Sequence, residues 1–239
     1  MNLRQTNPDA PCPVLATFFW RKGGKPQPSS RLFIRGPDQL AYWSVFRLTQ
    51  PTAAVIERNL AAASRLSSNT PAGLSLPNGL DPSARLPFGF VHNHSRSCIG
   101  HGEAAFAAAR QAFRKWAMFD LGWARIANPT APIEPGQIIA MEAQTLGLWT
   151  LNLSRIMETI DTASTFGFLY ATTPMHVEQS AERFVLEFDA TTGEVHYLLE
   201  AISRPRHLLA RLGLPISRHF QHQFARESHR RIRQEVLAQ

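Results

Sequence analysis

From Gln137 to Ile202, apolar and polar residues alternate with a period of two, the spacing of strands that turn one face inward. Gln137 to Gln144, Leu146 to Ile160 and Thr165 to Thr172 read as three such strands. Phe184, Leu186 and Phe188 then alternate with Arg183, Val185 and Glu187 up to the turn Asp189-Ala-Thr-Thr-Gly193, and Val195 to Ile202 returns as the hairpin partner. Short turns predict antiparallel pairing, because parallel strands need long crossovers. Upstream, Phe90 to Ile99 predicts a strand and Gly100-His-Gly102 a break. Glu103 to Phe119 predicts a helix, with Phe106, Ala109, Phe113 and Trp116 near helical spacing. Glu103 in its first turn and Arg114-Lys115 near its end suit the helix dipole. A second helix is predicted over Thr52 to Leu66, behind Pro51, with Val55, Ile56, Leu60 and Leu66 on its apolar side. Arg31 to Leu48 is apolar enough for one or two short strands. Past Arg206, Leu208, Leu209 and Leu212 predict a helical turn ended by Gly213. Pro215 then opens a helix marked by Ile216, Phe220, Phe224, Ile232 and Val236, about 35 Å long at 1.5 Å per residue. A helix of that length needs a sheet to lie on, so the pattern predicts an α+β domain.

Composition sharpens the boundaries. Eleven of the 17 prolines fall in the first 90 residues, which reads as an irregular N-terminal extension over 1–48 ahead of a domain over 49–239 with its core at 88–239. A 239-residue chain with 44% hydrophobic residues can bury a substantial core, which excludes a disordered chain. Cys12 and Cys98 make no disulfide framework, so reduced thiols are expected. The apolar run Val14 to Trp20 is too short for a membrane span and carries no signal-peptide pattern, so a soluble, cytoplasmic protein is expected. From Arg204 onward eight arginines and two glutamates give +6 of the net +7, which makes the basic excess a property of the last helix.

No complete nucleophile, metal or nucleotide motif is present. His92 and His94 share a strand face, but zinc needs three or four ligands and none complete the set, so no metal and no cofactor is expected. Cys98 lies near His92, His94 and His101 with no residue evidently placed to orient a base. Gly100-His-Gly102 ahead of a helix lacks the phosphate-binding patterns, and a tight turn explains it. The aromatic residues have no interleaved basic side chains, so nucleic acid is not an expected partner.

Two constellations remain. Tyr170, His176 and Glu178 bracket a strand end at Pro174, where a hydroxyl, an imidazole and a carboxylate can converge on a polar ligand group or act as acid and base. The plainer reading has Glu178 and Glu182 pairing with Arg183 or Arg204. Arg155 shares a strand face with Trp149, Leu151, Leu153 and Met157, so a guanidinium lies on an otherwise apolar surface. It either pairs with Glu142, Glu187 or Glu200 or receives an anionic ligand.

From Thr49 to about Val236 the chain resembles the uncharacterised protein family 0548. The resemblance rests on Ile99-Gly-His-Gly-Glu-Ala-Ala-Phe106, Arg155, Gly167-Phe-Leu-Tyr170 with Thr172, Pro174, His176 and Glu178, Glu182-Arg-Phe184 and Ser203-Arg204-Pro205. Ala171 and Met175 stand where that pattern has glycines. The resemblance and the element order imply a helix-grip architecture, a curved antiparallel sheet wrapped around the last helix, and no established reaction. The functional expectation is a small-molecule binding module. Its cavity, between the sheet and the helix from Pro215 to Val236, takes an apolar or anionic ligand through Arg155, Tyr170, His176, Glu178 and Arg204. Two alternatives stand beside it: acid-base chemistry of the cyclase or hydrolase type by His176 with Tyr170, and docking of the Arg-rich helix on anionic lipid or an acidic protein. The sequence sets no oligomeric state.

Overall fold

The structure, a computed structural model, describes residues 19–22, 46–68, 73–76, 78–81, 83, 85–205 and 214–238. In chain order these form β1 (Phe19–Lys22), β2 (Phe46–Arg47), α1 (Ala53–Ala63), β3 (Leu74–Ser75), β4 (Gly79–Leu80), β5 (Val91–His101), α2 (Gly102–Arg114), a 3-10 turn (Ala117–Phe119), β6 (Ala124–Ile126), β7 (Ile138–Thr145), β8 (Leu148–Asp161), β9 (Thr165–Thr172), β10 (Glu178–Phe188), β11 (Glu194–Pro205) and α3 (Leu214–Leu237). Among the described residues, nine strands make one antiparallel sheet in the order β1-β5-β11-β10-β9-β8-β7-β6, with β2 attached to β8. Register shifts at Val195/His196 and at Ile156/Glu158 are bulges, which increase local twist and help the sheet curl. The helix-grip architecture implied by the sequence is the one observed, with α3 lying in the hollow of the curl.

The alternation read from the sequence decides what meets what. Phe166, Phe168, Phe184, Leu186, Tyr197 and Leu199 face the concave side and pack on Phe106, Ala109 and Phe113 of α2. The rings interlock at 5.0 Å between Phe168 and Phe184, and at 5.2 Å between Phe113 and Tyr197. This half of the interior is solid. Gly167 allows it: a Cβ there would lie 2.3 Å from the carbonyl oxygen of Phe184 on the neighbouring strand.

Helix α2 stops at Arg114, earlier than its apolar periodicity predicts. Trp116 takes a left-handed conformation (φ 58°) and turns the chain into the 3-10 segment. Its indole is buried and donates to the Ala131 carbonyl at 2.9 Å, so tertiary packing overrides local helical preference. The short strand β6 carries no periodicity of its own and was not legible. The predicted turn over Leu208 to Leu212 lies outside the described residues, as does the Arg31 to Leu48 region apart from its last residues, where β2 forms.

The convex side is covered as well. Helix α1 lies over β7 and β8, with Val55, Ile56, Leu60 and Ala63 against Ile138, Ala140, Leu151 and Leu153. The β3–β4 hairpin belongs to a second apolar cluster with Phe90, Leu169, Ala181 and Ile202. Beside that hairpin Arg183 donates to Glu200 at 2.9 Å, and His92 lies 2.8 Å from the same carboxylate. The expectation of reduced thiols is corrected: no described cysteine is free, and Cys98 is disulfide-bonded. Nothing in the sequence around Cys98 signals this. Cys12 lies outside the described residues.

Candidate functional site

At the end of the sheet away from the α2 aromatic cluster, the concave face and the stretch of α3 from Phe220 to Ala225 face each other across a gap. A cavity of about 500 Å³ lies between them. Its walls are apolar: Trp123, Met141, Leu199, Phe220 and Phe224 line it, with Leu146 and Leu148 at its mouth. Leu146 and Gly147 both have positive φ (51° and 78°) in the β7–β8 turn. That turn type favours Asn-Gly, so a leucine is held there at a conformational cost, with its side chain 74% exposed.

Polar groups gather on one wall. On β9 and β10 alternate residues point inward, which places Tyr170 beside Glu182 in register. The Tyr170 hydroxyl donates to Glu182 Oε2 at 2.7 Å and the Ser180 hydroxyl to Oε1 at 3.0 Å. Glu182 is half-buried and lines the cavity. Desolvation therefore raises its pKa to about 7, aided by the charge of Glu178 and opposed by the two hydroxyl donors. Burial, then Glu182, push the Tyr170 hydroxyl well above its ordinary range, so it stays a neutral donor. Next to this pair the Gln221 amide from α3 donates to both oxygens of Glu178 at 2.9 Å, and to Ser203 at 3.1 Å. His176 accepts the Glu178 backbone N–H at Nδ1, 3.0 Å, and so holds its ring against the strand end.

Of the five residues singled out from sequence, Tyr170, His176 and Glu178 line this cavity, whereas Arg155 and Arg204 do not. Arg204 is exposed, donates to Gln179 at 2.9 Å and lies 4.8 Å from the centre of the Phe90 ring. Arg155 does share a face with Leu151 and Leu153, but it is the convex face under α1. Its guanidinium donates to the carbonyls of Ala63, Ser64 and Leu66 at 3.2, 3.0 and 2.9 Å, and to Gly136 at 3.1 Å. These lie at and just beyond the C-terminus of α1, where a helix leaves carbonyls short of intrahelical donors. A cation there also meets the favourable end of the helix dipole. The carboxylates considered for it are engaged elsewhere: Glu142 with Arg125, Glu187 with Arg96 and Glu200 with Arg183. Replacing Arg155 by methionine is therefore expected to cost about 2 kcal/mol. That lowers Tm by roughly 4–8 °C in a thermal melt while leaving ligand binding in the cavity unchanged. Loss of binding with unaltered stability would refute this role.

Sequence reasoning gives Glu182 only a pairing with Arg183 or Arg204, whereas Arg183 pairs with Glu200 and Arg204 donates to Gln179; it passes over Gln221 and the buried His229. Glu182 carried a signal, a carboxylate in phase with Phe184 and Leu186 on the inward face. Gln221 and His229 carried none, because the depth of a polar residue on a helix depends on what covers it. His229 sits between the hydroxyls of Ser95 and Ser97, 2.9 and 2.7 Å away, and burial pushes its pKa down to about 4.

Two other clusters are weaker candidates. A hollow of about 540 Å³ near Lys115, Asp120 and Arg231 is lined by charges that already pair, Arg231 with Asp120 and Glu235 among them, so it is a solvated cleft. Cys98, His101 and Glu194 lie close enough together to hold a metal ion, but the disulfide removes the thiolate such a site would need. Among the described residues no helix is long and apolar enough to cross a membrane.

Fold and cavity together define a helix-grip domain whose interior is filled at one end and hollow at the other. The chain belongs to the DUF1990 family, a domain of unknown function, whose model matches residues 76–231. It is similar to a UPF0548 protein of Dictyostelium discoideum, 32% identical over 141 residues, covering 54% of this chain and 65% of that protein's length. A UPF0548 protein of Arabidopsis thaliana is 28% identical over 156 residues, covering 63% of this chain and 75% of the relative. Among solved structures, ginseng major latex-like protein 151 from Panax ginseng matches 62% of this chain and 99% of its own at 10% identity, with a TM-score of 0.39.

Proposed function

We propose that this domain binds a mostly apolar small molecule in the cavity between the sheet and α3, with the polar wall of Tyr170, Glu182, Glu178 and His176 orienting one end of it. The observation that carries this reading is the hollow itself. Unlike the charged cleft near Arg231, this hollow of about 500 Å³ is walled by apolar side chains, Trp123, Met141, Leu199, Phe220 and Phe224 among them, that close packing would otherwise cover. Its volume and its apolar lining with a few convergent polar groups are those of ligand pockets. The strained, exposed Leu146 at the mouth gives an apolar ligand an apolar rim to cross.

Native mass spectrometry of untreated protein and a thermal-shift screen with fatty-acid, isoprenoid and amphiphilic amine probes test it. A ligand at 100 times its Kd is expected to add about 2.7 kcal/mol, a Tm rise of roughly 5–10 °C. Ala201 and Ala225 line the cavity. Ala201→Phe and Ala225→Phe should each abolish that rise while the unliganded Tm holds or increases. Probes that shift the filled variants as much as the wild type would remove the proposal.

A second reading has one specific support. A carboxyl with a pKa near 7, hydrogen-bonded to a tyrosine inside a cavity, is placed for general acid-base chemistry, with Glu182 in the part first assigned to His176. Bound probes that change mass with the wild type and persist unchanged with Glu182→Gln would establish it; probes recovered intact from both leave the binding module.

A further inference from the structure

We infer that the polar group recognised in this cavity is a protonated amine, held by the Glu182 carboxylate. The inference rests on the cavity reading above and gives it a chemical class. Glu182 is a half-buried carboxyl in the cavity wall whose two oxygens each accept one bond from a neutral hydroxyl, Tyr170 and Ser180. A carboxylate oxygen has two lone pairs, so each oxygen keeps a site for a further donor. Among the described residues lining the cavity there is no lysine or arginine, so the protein brings no cation of its own to this carboxylate there. The Gln221 amide nitrogen is spent on Glu178 and Ser203.

Charge decides between ligand classes. A carboxylate or phosphate head would bring a second negative charge beside Glu182 in a site of low dielectric, which is unfavourable unless Glu182 takes up a proton. A hydroxyl fills one lone pair and leaves the buried charge uncompensated. An ammonium head fills the lone pairs and neutralises the charge together, and the rings of Trp123, Tyr170, Phe220 and Phe224 on the walls supply faces a desolvated cation favours. The anionic ligand expected from sequence relied on Arg155 and Arg204, neither of which lines the cavity.

The titratable groups around Glu182 are Tyr170 on β9, Glu178 on β10, Tyr197 on β11, His94 on β5, His176 in the β9–β10 turn and His222 on α3. Both tyrosines are pushed up by burial and His94 is pushed down by it, so these three stay neutral from about pH 7 to 8. An ammonium needs ionised Glu182 and displaces its proton, so amine affinity rises with pH as this carboxyl titrates.

The test compares decylamine, decanol and decanoate by titration calorimetry at pH 8 and pH 5.5, below their micelle concentrations, with wild type and Glu182→Gln. Decylamine should bind tightest at pH 8 and lose roughly 30-fold at pH 5.5, since 1.5 pH units below a group's pKa leave about 3% of it ionised. In Glu182→Gln that pH dependence should vanish, which separates Glu182 from His176 and His222. Decanol or decanoate binding as tightly as decylamine at pH 8 overturns the amine assignment and leaves the cavity reading standing. So does an amine preference that persists in Glu182→Gln. If none of the three binds the wild type, the cavity reading falls and this inference with it.

Discussion

Glu182→Gln is expected to stabilise the unliganded protein by about 3 kcal/mol at pH 8, a Tm rise of roughly 6–12 °C, and to leave stability unchanged near pH 4.5. The folded carboxyl titrates at about 7, above the ordinary 4.5 of the unfolded chain. Between these values the folded state holds a proton that the unfolded state has released. The contribution of this group is therefore complete below pH 4.5 and is lost as pH rises through 7. Glutamine removes that loss and keeps the hydrogen bonds, its carbonyl accepting from Tyr170 and its amide donating to Ser180. His229 runs the other way. Its folded pKa of about 4 lies below the ordinary 6.5, so its contribution is present above 6.5 and is lost as pH falls toward 4. In the wild type the two slopes oppose each other between pH 4.5 and 6.5. Urea denaturation of wild type and variant across this range isolates Glu182, because His229 is common to both. The difference should grow by about 1.4 kcal/mol per pH unit and level off above 7. A difference that does not vary with pH would mean the carboxyl is solvated and the polar wall misdescribed.

Gly167→Ala is expected to cost about 3 kcal/mol or more, a Tm fall of roughly 6–12 °C, and to weaken ligand binding. An added methyl would meet the Phe184 carbonyl oxygen at 2.3 Å and the Val185 Cα at 2.9 Å. Both are backbone atoms of the paired strand, with Gly167 opposite Val185 in register, so no side-chain rotation relieves the clash. Only separation of β9 from β10 does. Tyr170 and Glu182 pair three positions along this same ladder, so the hydrogen bond between them lengthens in the same event. Chemical denaturation and the decylamine titration would register both effects. A loss below about 1 kcal/mol would show that the two strands part at little cost.

Much of the architecture was legible because period-two alternation is local. The alternation over Thr165 to Thr172 coincides with β9 residue for residue, and the patterns for β7, β8, β11 and α3 match their elements nearly as well. Helix α2 was read too long because the left-handed Trp116 is fixed by a buried indole, and nothing adjacent in the chain announces it. The same limit governed the site. Tyr170, His176 and Glu178 were singled out from a strand end and do line the cavity. Arg155 was equally conspicuous and lies on the opposite face of the sheet, where it closes the carbonyl end of α1.

The amino-acid sequence by itself determined which residues share a face, where strands reverse, and that a long helix must lie on a sheet, since these follow from backbone periodicity and turn chemistry within a few residues. Only the tertiary structure decided which face is concave, which helix covers which side, and that packing by Phe113, Phe119, Phe168 and Phe184 leaves a cavity beside Phe220 and Phe224 of α3. Strand alternation marks two faces without saying which is inside, and a void is a property of the distance between layers. The charge of a buried carboxyl such as Glu182 follows from that distance, through the water it excludes.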